Sequence, residues 1–560
     1  MPRNSKEARY LEQKEGHTHW TKAKTTELDQ LHDYNAFVDL GKSTPTPPGF
    51  THIKCRFVYD MKHDGRYKAR LVAGGHMTNL DKEDAYSGVV SLRTLRLALL
   101  IGELNKLNIM VGDIGNAYLE SYTREKVVFT AGPEFGPLAG HTLQIVKALY
   151  GLRSSGARFH EVLAQTLKSE GFFPCKADPD LWMRPAGNCY EYICVYVDDL
   201  LVLMKDPQSF FKILKEKHGY KLKGIGEPEY HLGGDFGRDQ DGTLYWGAKT
   251  YISKMLQAYQ RQFDNTLPKK MSSPLDKDDH PELDESTLLT GTKIRLYQSM
   301  IGALQWAISL GRLDIAVAVM NMSRFRVAPR EKHLERLKRI YGYLRKRPDG
   351  KLWFRTGIPP NENLVEVPEH DWFHSIYGDG SDIENGTDEY PPALGFMVRI
   401  TTFVDANLGH CKVTGKSITG IVHLVNQTLI QFFCKLQNTV ECTTYCSEFV
   451  AAKQAAEQIR DLQETLKLMG VPIEKSAWML GDNSSVITSS TLPSSMLKKQ
   501  HHSLSYHYVR CNVAHRLIKF CKIASKWNVA DILTKCLPHN ESWHLIQPLL
   551  FWSGDTKDCP

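Results

Sequence analysis

No Cys-x-x-Cys pair occurs in the 560 residues, and the twelve cysteines are scattered. Cys442 and Cys446 have no second Cys or His pair near them in the chain. These absences argue against a disulfide scaffold or a zinc finger and favour free thiols in a reducing compartment. No apolar run reaches the ~18 residues a bilayer span requires. The N-terminus, MPRNSKEARYLEQKEG, is charged and lacks an apolar core, so no signal peptide is expected. No internal repeat is visible. A soluble, intracellular protein is therefore expected. Charge of one sign is also scarce: 70 Lys+Arg stand against 63 Asp+Glu, a net +7. Such an excess points to a polyanionic partner only where the cations cluster.

What is present is globular: 42% hydrophobic and 24% charged residues, in a chain too long for one core. Residues 1–50 read as an N-terminal lead-in with a proline-rich end, TPTPPGF. Residues 51–260 mix strands and helices. FVYDMKHDGRYKARLVAGG reads as two strands around His63-Asp64-Gly65, and Ser91 is placed to cap a helix over SLRTLRLALLIGELNKL. Residues 261–347 are expected to be mainly helical. Between Arg324 and Arg347 lie ten Lys/Arg and only two acids, Glu331 and Glu335. That density favours a phosphate-facing surface through Arg330, Lys332, Arg336, Lys338 and Arg339. Residues 348–399 form an acidic linker or insertion, of which the acidic segment 356–397 is expected to be flexible. Its core from Gly357 to Pro392 holds nine acids and no Lys or Arg. Residues 400–540 return to strands and a long helix from about Thr443 to Met469, with Gly470 placed to cap it and Pro472 to prevent its continuation. Residues 541–560 are a C-terminal tail.

Two adjacent carboxylates, Asp198 and Asp199, interrupt the apolar run CVYVDDLLVLM. Flanking strands place them at a hairpin tip. Partly buried, they would repel unless a cation neutralised them, and Mg²⁺ with oxygen ligands suits that need. A third carboxylate is expected on a neighbouring strand, and Asp113 in MVGDIGNAY qualifies.

GDIGNAY followed by YVDD resembles the palm of reverse transcriptases. RYKARLVAGG, KALYGLRSSGARFHE, KADPDLW, YVDDLLVL and YQSMIGALQWAI resemble, more narrowly, the polymerase of copia-type LTR retrotransposons. The resemblance implies an α/β (α+β) chain: a right-hand polymerase with fingers, ferredoxin-like palm and helical thumb, then a ribonuclease H-like mixed α/β domain. It implies that Asp113, Asp198 and Asp199 bind metal, with two Mg²⁺ (or Mn²⁺) per active site. It also implies that Lys68 and Arg70 meet the incoming triphosphate, that Tyr118 packs under the sugar, and that Tyr196 lies near the primer end. One departure is Ser154, which stands where the family has Gln and puts the details of nucleotide selection in question.

Four further acids lie at suggestive places: Asp405 in FVDANLGH, Glu448 in CSEFVAA, Asp482 in GDNSSV and Asp531 in ADILTK, where Asn528 can cap a helix. Each alone reads as a surface acid. Together they match the Asp, Glu, Asp, Asp order of ribonuclease H domains, which implies a second two-metal site. His501 and His507 also match family histidines and read as structural or RNA-proximal. The implied partners are an RNA template, a DNA primer, the RNA–DNA hybrid and dNTPs, in a cytoplasmic particle and without a membrane. The competing reading is a decayed or co-opted copy that binds nucleic acid without catalysis.

Overall fold

The computed structural model describes residues 1–61, 65–78, 87–359, 364–365, 368–378, 390–497 and 502–552. The turn at His63 and Asp64, the histidine His501, and the parts 360–363, 366–367 and 379–389 of the acidic stretch whose flexibility is expected fall outside these residues. Among the described residues no helix is long and apolar enough to cross a membrane.

A six-stranded antiparallel sheet forms the palm. In spatial order it comprises Leu222–Gly226, Asn108–Ile114, Asp199–Met204, Tyr190–Tyr196, Asp178–Pro185 and Phe173–Cys175. Its central hairpin is apolar on both faces because both faces are covered. Ile193, Val195, Leu200, Val202 and Met204 pack on Phe159, Leu163, Phe210, Phe211 and Leu214 of the helices Ser155–Ser169 and Pro207–Glu216. Tyr192, Cys194, Leu201 and Leu203 face the opposite core. Period-2 alternation thus feeds two hydrophobic layers, which explains why the sequence shows no polar gaps there.

The helix Leu92–Leu104 lies on that second face, with the Ser91 side chain accepting from the Thr94 amide. Every residue from Thr94 to Gly102 is buried. An all-round buried helix needs a second partner, and here it is the strand Thr428–Leu436 of another sheet. Arg96 crosses the junction. Its Nη1 donates to the Ile430 carbonyl at 2.9 Å and its Nη2 to the Ser309 carbonyl.

That other sheet has the order Leu364–Val365, Ile518–Ile523, Ala477–Gly481, Ile400–Asn407, Ile418–Val425 and Thr428–Leu436. Ile400–Asn407 pairs antiparallel with its hairpin neighbour and parallel with Ala477–Gly481. This is the mixed sheet expected of a ribonuclease H-like domain. The helix Thr444–Leu468 crosses it, N-capped by Thr443. Gly470 ends the helix at φ +70, and a Cβ there would come within 2.3 Å of Tyr190. The Tyr192 hydroxyl donates to the Met469 carbonyl at 2.9 Å, which seats the helix end on the back of the palm.

The helices Thr292–Ser309, Ala316–Ser323 and Glu331–Lys346 lie between the two sheets in the chain. Within the first fifty residues, Phe37–Lys42 pairs with His141–Ile145 in a four-stranded fingers sheet. Near the other end, His539–Ile546 is helical, and Arg347 stacks 3.6 Å over the Trp543 ring.

Candidate active sites

At the palm hairpin Tyr196 pairs with Asp199, so the turn is Val197-Asp198 and Asp199 is the first residue of the returning strand. Only Asp198 sits in the turn, which corrects the expectation of both acids at the tip. Val197 has φ +59, a left-handed conformation that is strained for a β-branched residue and of the kind that clusters at functional sites. The next strand over brings Asp113 directly opposite Asp199. The Ile114 amide donates to the Asp198 carbonyl at 2.8 Å, fixing the turn against that strand. Gly112 lets the helix Pro207–Glu216 pack closely beneath Asp113, since a Cβ there would meet the Phe211 ring at 2.6 Å.

The fingers hairpin pairs Cys55–Met61 with Tyr67–Ala73. Ala69, Leu71 and Ala73 turn into the fingers core, so Lys68 and Arg70 share the other face. Burial pushes the Asp198 carboxyl up, and Asp113 adds to the rise, while Arg70 and Lys68 pull it back. Both cations therefore act on Asp198. Tyr118 packs 4.9 Å from Tyr150, centroid to centroid, and Arg70 lies 4.7 Å over the Tyr150 ring. Tyr196 packs partly buried against the core.

In the second sheet, oxygens of Asp405, Glu448 and Asp482 all lie within 4.8 Å of one another. Asp405 comes from the first strand, Glu448 from the long helix, and Asp482 from the end of Ala477–Gly481. Asp531 joins them through Lys535, whose Nζ lies 2.7 Å from Asp531 Oδ1 and 3.6 Å from Asp405 Oδ2. Asn528 caps the short 3₁₀ helix Val529–Leu533 by accepting from the Ala530 amide, as its position in the sequence suggests. Burial pushes Asp405 up to about 6, with Lys535 opposing and Asp531 reinforcing. Burial, then Asp405 and Asp482, raises Glu448 well above the usual carboxylate range. An all-carboxylate set of this kind suits a hard divalent cation.

Residues 42–271 match the family described as reverse transcriptase (RNA-dependent DNA polymerase). The chain is 26% identical over 539 residues to a retrovirus-related Pol polyprotein from transposon TNT 1-94 of Nicotiana tabacum, covering 93% of this chain and 37% of that one. It is 26% identical over 506 residues to the Pol polyprotein from transposon RE1 of Arabidopsis thaliana, covering 88% and 31%. The chain is thus similar, over most of its length, to the Pol polyproteins of copia-type retrotransposons. It spans about a third of the length of these curated relatives. Among solved structures, a foamy viral protease–reverse transcriptase in complex with double-stranded DNA matches with a TM-score of 0.47 and 14% identity, over 90% of this chain and 70% of that one.

On the basic helix Glu331–Lys346 most of the side chains expected to face phosphates are engaged in ion pairs and hydrogen bonds. Arg336 holds Asp279 (2.7 Å) and Asp284 (3.2 Å), Arg339 holds Asp276 (2.7 Å), and Lys338 holds Glu335 (2.7 Å). Arg330 donates to the Ser286 carbonyl. Apart from Glu335, the paired acids lie in the segment before Thr292–Ser309, so a count over 324–347 misses Asp276, Asp279 and Asp284. Lys332 keeps an exposed position.

Ser154 is fully buried and donates to Glu125 Oε1 at 2.8 Å, beside Thr78, which donates to Oε2 at 2.7 Å. It belongs to an internal network. His507 bonds the Tyr377 hydroxyl. Tyr150 and Lys535 were not singled out from the sequence. The first stands inside the quoted KALYGLR, and the second four positions after Asp531, the helical spacing at which opposite charges meet.

Proposed function

We propose that this chain copies RNA into DNA at Asp113, Asp198 and Asp199 and cleaves the RNA strand of the resulting hybrid at Asp405, Glu448, Asp482 and Asp531. The observation that carries this reading is the presence of two separate carboxylate clusters on one chain similar to copia-type Pol polyproteins, each assembled from neighbouring strands or a strand and a helix. The palm trio would hold divalent cations such as Mg²⁺ or Mn²⁺, whose chemistry there is activation of a primer 3′-hydroxyl and neutralisation of the leaving pyrophosphate.

The chain's own residues supply position and charge, which phosphoryl transfer chiefly needs. Val197 aims Asp198, and the ladder fixes Asp113 opposite Asp199. Lys68 and Arg70 face this site from the fingers and would receive the triphosphate of a dNTP. Tyr118, braced by Tyr150, would underlie the sugar. Tyr196 stands beside Asp199, where a primer end would approach. In the second centre the four acids would hold the cations that prepare a water for in-line attack on the RNA strand. Lys332 and its neighbourhood would meet duplex phosphates, reading shape rather than base sequence.

The test is primer extension on an RNA template with dNTPs and Mg²⁺, beside hydrolysis of a labelled RNA–DNA hybrid. Asp198→Asn should abolish extension and spare hydrolysis, and Glu448→Gln should do the reverse. A folded parent chain that binds hybrid yet does neither would point to a decayed or co-opted copy.

A further inference from the structure

A third cluster lies on the ribonuclease H-like domain, apart from both carboxylate centres. Glu441, Cys446 and His502 come from three segments: the loop after Thr428–Leu436, the first turn of Thr444–Leu468, and the residue that starts Ser503–Ala514. All three are buried, with His502 at 5% exposure and Cys446 at 0%. One oxygen, the sulfur and one ring nitrogen lie within 4.8 Å of one another. His502 Nε2 stands 3.0 Å from Glu441 Oε2.

We propose that Glu441, Cys446 and His502 bind a transition-metal dication of the zinc class. Thiolate, imidazole and carboxylate are the three ligand types Zn²⁺ takes, with bonds of about 2.0–2.3 Å, so tetrahedral ligands sit roughly 3.3–3.7 Å apart. The observed spacing reaches that with small side-chain movement. The charges also balance: a buried carboxylate and thiolate together carry two negatives, which a dication neutralises. Hydroxyls hold two of the ligands in place. Thr439 Oγ1 donates to the other Glu441 oxygen at 2.6 Å, and Thr443 Oγ1 donates to Cys446 Sγ at 3.1 Å. Such outer partners orient ligands in metal sites.

Glu441 and His502 line a cavity of about 490 Å³ with Lys453 and Gln454, which gives an entry path and room for a fourth, water ligand. The metal would clamp the start of the long helix to the start of Ser503–Ala514. Cys446 is two residues before Glu448, so the clamp would also steady the helix that carries that acid. The hard-cation chemistry proposed for the carboxylate centres plays no part in this inference.

The experiment is Co²⁺ titration of the full chain after treatment with a chelator, followed by absorption. The expected result is a thiolate-to-cobalt charge-transfer band with intense tetrahedral d–d absorption, saturating at one equivalent and bleached by Zn²⁺. Cys446→Ser should remove the band. Thr439→Val should weaken cobalt affinity about 10–100-fold while keeping the band. Cys442→Ser, at the exposed neighbouring thiol, should leave band and affinity unchanged. Circular dichroism shows whether each variant is folded, and if Cys446→Ser is not, the Thr439 and Cys442 variants decide. Absence of the band in folded parent protein overturns the proposal. So does a band that survives Cys446→Ser, one that vanishes in Cys442→Ser, or an affinity that Thr439→Val leaves unchanged.

Discussion

Asp199 stands directly across the antiparallel ladder from Asp113, and the carbonyl of Asp198 accepts from the Ile114 amide beside them. The backbone therefore forces carboxylates together that would otherwise separate. Asp198 bears the consequence: burial and Asp113 raise it above the usual carboxylate range. Asp198→Asn should accordingly act in two directions. Losing a metal ligand should cost several kcal/mol of transition-state stabilisation, roughly 10³-fold or more in primer extension. Losing a repelled buried charge should raise the metal-free melting temperature. A variant that lost activity and stability together would mean that Asp198 holds the fold rather than a cation.

Asp405 gives a pH dependence. Its carboxyl is pushed up to about 6 from an ordinary 3.8, so the folded chain binds more protons than the unfolded chain across that window. Metal-free stability should therefore fall as pH rises from about 4 to about 6 and stay lower above it. Asp405→Asn should match the parent near the acid end and exceed it above about pH 6, on the order of 1–3 kcal/mol. Mg²⁺ should restore the parent at neutral pH more than the variant. Melting curves of both proteins at several pH values, with and without Mg²⁺, check this. Parallel pH profiles would sink it.

Lys535 is the internal counter-cation of that centre, 2.7 Å from Asp531 Oδ1 and 3.6 Å from Asp405 Oδ2. An ammonium and a metal dication would compete for the same oxygens. Lys535→Met should lower the metal-free melting temperature and also lower the Mg²⁺ concentration at which half of the metal-dependent stabilisation is reached. An unchanged Mg²⁺ midpoint would show that the ammonium does not occupy the cation's place.

Asp113, Asp198, Asp199, Asp405 and Asp482 were legible because each sits in or just after a strand-like word, VGDIG, YVDD, FVDAN or GDNSS, whereas the helical Glu448 and Asp531 stood out only through the family resemblance. The apolar run around YVDD read as flanking strands, and that both of their faces are covered emerges only from the structure. What stayed hidden depends on distant pairing. Nothing near Arg336 in the chain reveals Asp279 and Asp284. Nothing near Cys446 reveals His502, so its spacing looked unpaired. Leu92–Leu104 reads as an amphipathic helix, and its burial on all sides follows only from the strand Thr428–Leu436 closing over it. Val197 is ordinary by type, and its left-handed backbone arises from the two-residue turn that Tyr196 and Asp199 close.

The basic helix supplies the sharpest contrast between sequence and structure. Arg336 looks like a phosphate ligand by its neighbours, yet it spans two carboxylates, and the Asp284 side chain is fully buried. Removing the guanidinium takes from that buried charge one of its two close basic partners, leaving His333 3.6 Å away. Arg336→Ala should therefore destabilise the chain by roughly 1–3 kcal/mol, below the cost of a wholly buried pair because Arg336 is partly exposed. It should leave hybrid affinity and its salt dependence unchanged once protein is compared in the folded state. Lys332→Ala, at an exposed position on the same helix, should do the opposite. Stability should hold while the slope of log affinity against log salt shrinks by about 0.7–0.9, the loss of one phosphate contact. Filter binding to an RNA–DNA hybrid over a salt series, beside denaturant melts of both variants, separates the two. If Arg336→Ala flattened the salt slope without unfolding, its ion pairs would have to open in the complex, and the helix would be a phosphate-facing surface after all.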